Sequence, residues 1–116
     1  MSGQAAGGRL DVGRAGDVLH VVLTGPVDMV VRERDAPALW PALADPRVRT
    51  VDLDAGAVTF LDSSGLSVLV RLARDAAERG VVLRLVATSP RVDDLLEQTG
   101  VGEWMARIAG APGAAR

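Results

Sequence analysis

The sequence predicts a single α/β domain, a mixed β-sheet covered by helices with elements in the order ββαβαβαβ. Three observations predict it. Short runs rich in valine and leucine alternate with longer segments whose apolar residues follow a helical period. Two strand-like runs come first and are joined by a turn, so an antiparallel pair precedes the α/β crossovers. Gly, Pro, Asp and Ser mark most of the boundaries between runs. The chain has 116 residues, which suits one domain with one core and needs no covalent staple.

Each element has its own signal. "RLDV", Arg9 to Val12, is a short strand, and "GRAGD" after it is a hairpin turn. "VLHVVLTG", Val18 to Gly25, is a buried strand that ends at Gly-Pro. "RDAPALWPALADP" is a helix in which Asp35 caps the start and Pro37 sits in the first turn. Pro41 kinks it or leaves its end loosely wound, and Leu39, Trp40 and Leu43 form its apolar side. "RTVDLDA", Arg49 to Ala55, is the third strand.

Ser64 to Arg79 is the long helix, with Leu66, Leu69, Val70, Ala73 and Ala77 on one face and Gly80 as its C-cap. "VVLRLVA", Val81 to Ala87, is the fourth strand. "SPRVDDLLEQTG" is a helix capped by Ser89, with Pro90 at its first position and Gly100 as its stop. Val92, Leu95, Leu96 and Thr99 make its buried stripe, and "WMARIA", Trp104 to Ala109, reads as a last edge strand. The domain is expected over residues 9–109, with small, Gly/Ala-rich flexible termini at 1–8 and 110–116.

Composition excludes several classes. There is no cysteine, so neither a disulfide framework nor a thiolate metal site is available. The single histidine, His20, does not make a metal site either, and it reads as a half-buried structural residue of the second strand. Net charge is −2, and the basic residues, all arginine, are scattered among acids. That is not the basic stripe of a nucleic-acid binder. No apolar run is long enough for a membrane span, and "MSGQAAGGR" has no signal-like apolar region, so a cytoplasmic protein is expected.

The stretch that asks for a functional explanation is "TFLDSSGL", Thr59 to Leu66. It falls at the C-terminal end of a central strand, where α/β folds place their sites. An N-cap accounts for one or two of Asp62, Ser63 and Ser64, but less well for both serines plus the acid, because a single cap uses one hydroxyl. The spare hydroxyl lies at an exposed helix start next to a glycine, where another protein's backbone can come close. Nucleophilic catalysis needs a base, and the G-x-S-x-G pattern is absent around Ser63. Phosphorylation fits better. A phosphoserine adds about −1.5 to −2 charges beside Asp62, and beside Asp28 if that loop lies at the same sheet end. At an effective dielectric near ~20, the repulsion is on the order of a few kcal/mol.

"LTGPVD", followed by "VDLDAGAVTFLDSSGLSVLVRLARDAAERGVVLRLVATSPRVDDLLEQTGV", resembles the STAS domain, and more narrowly the bacterial anti-sigma-factor antagonists. The most specific piece is "FLDSSGL", supported by the "SP…LLEQTG" helix. The resemblance implies a mixed sheet with helices packed on one side. It implies a non-catalytic partner switch with no cofactor and no metal. The unphosphorylated protein binds an anti-sigma factor that is also a serine kinase, and a PP2C-type phosphatase reverses the modification. It places the phosphorylated residue at Ser63 and the partner contacts at Asp28, Asp62, Ser64, Gly65 and Leu66. The expected protein touches neither nucleic acid nor membrane and is a monomer when free.

Two departures stand out: Pro26 replaces the usual glutamate of the early loop, and the chain lacks the C-terminal helix many members carry. An alternative keeps the fold and makes the chain a docking subunit of a lipid-transport or stress-signalling assembly. A third reading, a phosphatase built on the paired acids of "DLDAG" (Asp52 to Gly56), meets a chain with no lysine. Asp52 and Asp54 there are more simply the polar side of a strand.

Overall fold

The computed structural model describes residues 7–108. The expectations for 1–6 and 109–116 lie outside them. One sheet carries strands in the order β1-β2-β3-β4: β1 is Arg9–Ala15, β2 Val18–Val27, β3 Thr50–Leu61 and β4 Val82–Thr88. β1 and β2 are antiparallel and joined at Gly16–Asp17, where Gly16 has φ +63. That left-handed backbone suits glycine. β2–β3 and β3–β4 are parallel, so the sheet is mixed as its sequence predicts.

Alternation along the strands decides which face is covered. Leu10, Leu19, Val21, Leu23, Val51, Leu53, Ala55 and Leu83 are buried in one core. Their alternates His20, Val22, Thr24 and Arg84 are exposed, so the helices occupy one side. His20 is therefore not half-buried, because it faces solvent on the open face.

The connection after β2 differs from the single kinked helix expected. Three short pieces replace it: α1 Met29–Arg34, a 3₁₀ turn Ala36–Ala38 and α2 Leu39–Leu43. Asp28 caps the first of them. Asp35 stands at the start of the 3₁₀ turn but makes no side-chain cap bond; its carboxylate accepts from Leu10 N–H at 2.9 Å and pairs with Arg34 at 2.7 Å. Pro37 and Pro41 deny the backbone two donors within five residues, which divides the segment.

β2 also runs past Gly25. Pro26 pairs with Phe60 and Val27 with Leu61, so Pro26 is in a strand rather than a loop. Val27 C=O faces β3, accepting from Asp62 N–H at 3.4 Å. By alternation the Pro26 nitrogen faces the other way, where β1 pairing has already stopped at Arg9–Thr24. The missing N–H costs no ladder bond. Gly8, expected in a frayed end, is buried against Pro26 C=O, and Arg34 donates to its carbonyl at 2.6 Å.

α3, Ser63–Glu78, buries Gly65, Val68, Leu69, Leu72, Ala73 and Ala76. This stripe is rotated from the expected one: Leu69 and Ala73 are shared, while Leu66, Val70 and Ala77 are only half-buried. The repeat i, i+3, i+4, i+7, i+8, i+11 begins at the glycine, which has no side chain to announce it. α4, Pro90–Thr99, has the expected ends, with Ser89 as N-cap and Gly100 in the left-handed conformation. Val92 and Leu96 are buried; Thr99 is exposed, its hydroxyl donating to Leu95 C=O at 2.7 Å.

The last element is a helix, α5 Val101–Ile108, and not the edge strand expected from Trp104. Val101, Trp104, Met105 and Ile108 recur at i, i+3, i+4 and i+7. Met105 is buried and the others pack partly against the core. A window starting at Trp104 hides that period. The C-terminal helix that looked absent is thus present, and β4 is left as an edge.

Candidate functional site

The site grows from the paired ends of two strands. Val27 and Leu61 are the last residues of β2 and β3 and lie side by side. The next residues, Asp28 and Asp62, both cap helices. Asp28 Oδ1 accepts from Val30 N–H at 3.0 Å and Val31 N–H at 3.3 Å. Asp62 Oδ1 accepts from Gly65 N–H at 2.9 Å. Two helix starts therefore sit together at one sheet end, and the condition set on Asp28 by the charge argument is met.

Because Asp62 is the cap, neither serine is needed for it. Ser63 is the first residue of α3 and is exposed; Ser64 follows and is half-buried. Among the described residues neither hydroxyl has a hydrogen-bond partner. The Ser64 carbonyl accepts from Ser67 Oγ at 2.6 Å. An exposed hydroxyl at a helix N-terminus has free N–H groups nearby that favour an anion.

Gly65 brings the parts together from beneath. A Cβ on it would lie 2.3 Å from Val27 O and 2.5 Å from Leu61 Cδ1. The backbone that approaches this glycine is the chain's own, so Gly65 positions the serine and offers no surface to another protein. Leu66 is half-buried against the core. Of the residues expected at the site, Ser63 is exposed and Asp28, Asp62 and Ser64 are half-buried.

The structure adds three residues that sequence reasoning missed. Met29 is 55 % exposed, Val30 57 % and Phe60 41 %. Met29 and Val30 follow Asp28, and Phe60 lies two residues before Asp62, so all three belong to the same sheet end as the serine. Burial along β3 passes from every second residue to Ala55, Val58 and Leu61 across two register shifts, so simple alternation gives no guide to Phe60. The guanidinium of Arg91, from the start of α4, lies 5.8 Å from the Phe60 ring centroid. The result is a hydroxyl and two acids bordered by apolar side chains, the mixture common in protein interfaces.

Other candidate chemistry lies elsewhere. His20 is level with Asp52, roughly 25–30 Å of strand from Leu61, so it is no base for Ser63. Arg84 grips Asp52 through two bonds of 2.6 and 2.8 Å, and that hydrogen bonding holds the Asp52 carboxyl below the usual range. Asp54 accepts from Gly56 N–H at 2.9 Å. Among the described residues no three His, Cys, Asp or Glu side chains are grouped to hold a metal, and no helix is long and apolar enough to cross a membrane.

Comparison with known proteins agrees with this architecture. The anti-sigma factor antagonist SpoIIAA in its unphosphorylated form superposes with a TM-score of 0.70 at 21 % identity, over 82 % of this chain and 84 % of that one. The Bacillus cell fate determinant SpoIIAA in its phosphorylated form gives 0.68 at 20 %, over 82 % and 86 %. An anti-sigma factor antagonist from Mycobacterium paratuberculosis gives 0.68 at 26 %, over 84 % and 82 %. Among curated sequences, human sulfate anion transporter 1 is 41 % identical over 63 residues, which is 54 % of this chain and 9 % of that protein. The STAS domain profile matches residues 9–113, nearly the whole chain, and the chain belongs to the STAS domain family.

Proposed function

We propose that this protein is an anti-sigma-factor antagonist whose binding is switched by phosphorylation of Ser63. Unphosphorylated, it docks on an anti-sigma factor that is also a serine kinase and so regulates transcription in the cytoplasm. The kinase supplies ATP; this chain performs no catalysis and holds no cofactor. Phosphorylated, it lets go until a PP2C-type phosphatase restores the hydroxyl. The observation that carries this is the exposed, unbonded Ser63 hydroxyl at the first position of α3, between two capping aspartates.

The charge argument gives the switch its size. A phosphate placed beside Asp28 and Asp62 puts three anionic groups at one sheet end, and the start of α3 offsets only part of that locally. A partner that brings its own acids to the contact meets repulsion of a few kcal/mol. Each ~1.4 kcal/mol is a factor of ten in affinity. Met29, Val30 and Phe60 supply apolar contact in both states, so charge alone distinguishes them.

The test is incubation with the cognate kinase and ATP, read by intact mass. Wild type gains one phosphate, Ser63→Ala gains none, and Ser63→Ala keeps its affinity for the kinase. An unmodified wild-type mass refutes the switch. A second reading, a STAS docking unit within a larger assembly, is favoured by the identity to the sulfate transporter segment. It predicts a partner complex whose affinity is the same for wild type and Ser63→Asp.

A further inference from the structure

We infer that the groove between α1–α2 and α3 docks an acidic segment of a protein partner, as an anchor independent of the serine. The open groove has a volume of about 590 Å³. Its chemistry comes from Arg32, Glu33, Trp40, Ser67, Arg71 and Arg74. On α3, Ser63, Ser67, Arg71 and Arg74 recur at i, i+4, i+8 and i+11, and Ser63, Ser67, Arg71 and Arg74 are all exposed. The groove is thus continuous with the site described above.

Its arginines are arranged to accept carboxylates. The Arg71 guanidinium lies 4.0 Å from the Trp40 ring centroid, which limits its freedom and presents its edge. Arg71 bonds Asp75 through Nε at 3.3 Å, and Arg32 bonds Glu33 through Nε at 3.0 Å. Among the described residues, the terminal amino groups of both have no hydrogen-bond partner, and Arg74 has no acidic partner at all. Exposed pairs of this kind contribute little and exchange readily, whereas a carboxylate can take two guanidinium donors at once. Glu33 and Asp75 leave a modest positive excess, and the serine end is acidic. A partner matched to the groove would present acids toward Arg71 and Arg74.

Distance makes the two halves separable. At about 1.5 Å per residue, Arg71 lies about 12 Å and Arg74 about 16 Å from Ser63 along α3. Both exceed the Debye length of about 8 Å at physiological salt, and groups so far apart act additively. The partner in question is the one proposed above, so the inference rests on that reading for its biological meaning, though the groove can be tested alone.

The first arm follows the Trp40 indole N–H and the Arg71 and Arg74 side-chain N–H signals by ¹⁵N NMR. A synthetic twelve-residue helical peptide with glutamates one turn apart is titrated in, then its glutamine counterpart. Saturable shifts with the glutamate peptide, lost in Arg74→Glu and weakened in Arg74→Gln, support the groove. No shift, or equal shifts with the glutamine peptide, overturns it. Stronger shifts with ATP or inorganic phosphate at matched ionic strength also overturn it, in favour of a phosphate ligand. The second arm measures kinase affinity by calorimetry. Arg74→Glu should lower it about three- to tenfold, by the same factor in Ser63→Ala and Ser63→Asp. A factor that depends on the residue at 63 overturns independence. A kinase that binds neither form refutes the proposed function, and the peptide arm alone then decides the groove.

Discussion

Replacing Gly65 with alanine sets two effects of opposite sign against each other. Gly65 is the third residue of α3, and helix propensity alone favours alanine by about 0.8–1 kcal/mol. Geometry opposes it. The new Cβ would lie 2.3 Å from Val27 O, 2.5 Å from Leu61 Cδ1 and 3.1 Å from Val27 C. The leucine tip can swing aside. The carbonyl cannot, because it belongs to a paired strand and accepts from Asp62 N–H. Opening that contact to a tolerable 3.0 Å therefore lifts the start of α3 off the sheet end. Overpacking costs about 1–3 kcal/mol, and stretching the Asp62–Gly65 cap about 1 kcal/mol more. The net expectation is a loss of about 1–3 kcal/mol, or a fall in Tm of about 4–15 °C. Urea unfolding followed by circular dichroism measures it. Gly13→Ala is the control, since a Cβ there meets nothing within 4 Å. A Gly65→Ala protein as stable as wild type, or more so, refutes the claim that this close approach positions the serine.

Further predictions concern the cap, the apolar rim and pH. Asp62→Ala should cost about 1 kcal/mol in urea unfolding while Asp62→Asn, still a good cap, stays within a few tenths; equal losses would mean that the carboxylate acts by charge. Phe60→Ala should leave stability within about 0.5 kcal/mol yet lower kinase affinity at least tenfold by calorimetry; unchanged affinity removes Phe60 from the interface. Asp35, Asp45 and Asp52 are held below the usual carboxyl range, chiefly by hydrogen bonds from Arg34, Arg47 and Arg84, Asp45 to about 2. Carboxyls lowered by folding stabilise above their unfolded value near ~3.9, and that stability is lost as pH falls toward the folded values. Tm should therefore be flat from pH 7 to 5 and fall between about 4 and 2, less steeply in Arg47→Gln; a flat profile to pH 2.5 contradicts this. Phosphorylated protein should bind the kinase less well at pH 7.5 than at 5.5, because the second phosphate ionisation lies near ~6; affinity independent of pH argues against repulsion.

What could be read from the sequence depended on whether a residue carries its own signal. Ser89, Pro90 and Gly100 delimit α4 because each does one thing the backbone requires there, and the helix ends as those residues dictate. The alternation of Leu19, Val21 and Leu23 with His20 and Val22 fixes the covered face of β2. Signals of close approach are weaker. Gly65 looks like an invitation to a partner until Val27 O is placed beside it. With that glycine counted as the first core position of α3, the whole buried stripe follows. α5 shows the complementary failure, since its period is plain from Val101 but not from Trp104. Asp35 drew the cap assignment that belongs to Asp28, because both precede apolar segments and only the tertiary bond to Leu10 tells them apart.

The local geometry bears on what kind of switch Ser63 can be. Its hydroxyl holds no bond that a phosphate would break, the cap of α3 is made by Asp62, and the helix start is fixed from below by Gly65. A phosphate at this position would break no existing bond and would act on the fold through the neighbouring Asp28 and Asp62 carboxylates. On the proposed reading the switch resides in the surface, where one side chain changes its charge while the sheet end around it stays in place. Had Ser63 been the helix cap, phosphorylation would have changed the capping group itself. Placing the cap on the aspartate separates the residue that holds the helix from the residue proposed to be modified. In the stretch of an acid, two hydroxyls and a glycine, the acid caps and the glycine lets the helix reach the strand; on the proposed reading, Ser63 is the hydroxyl that is modified.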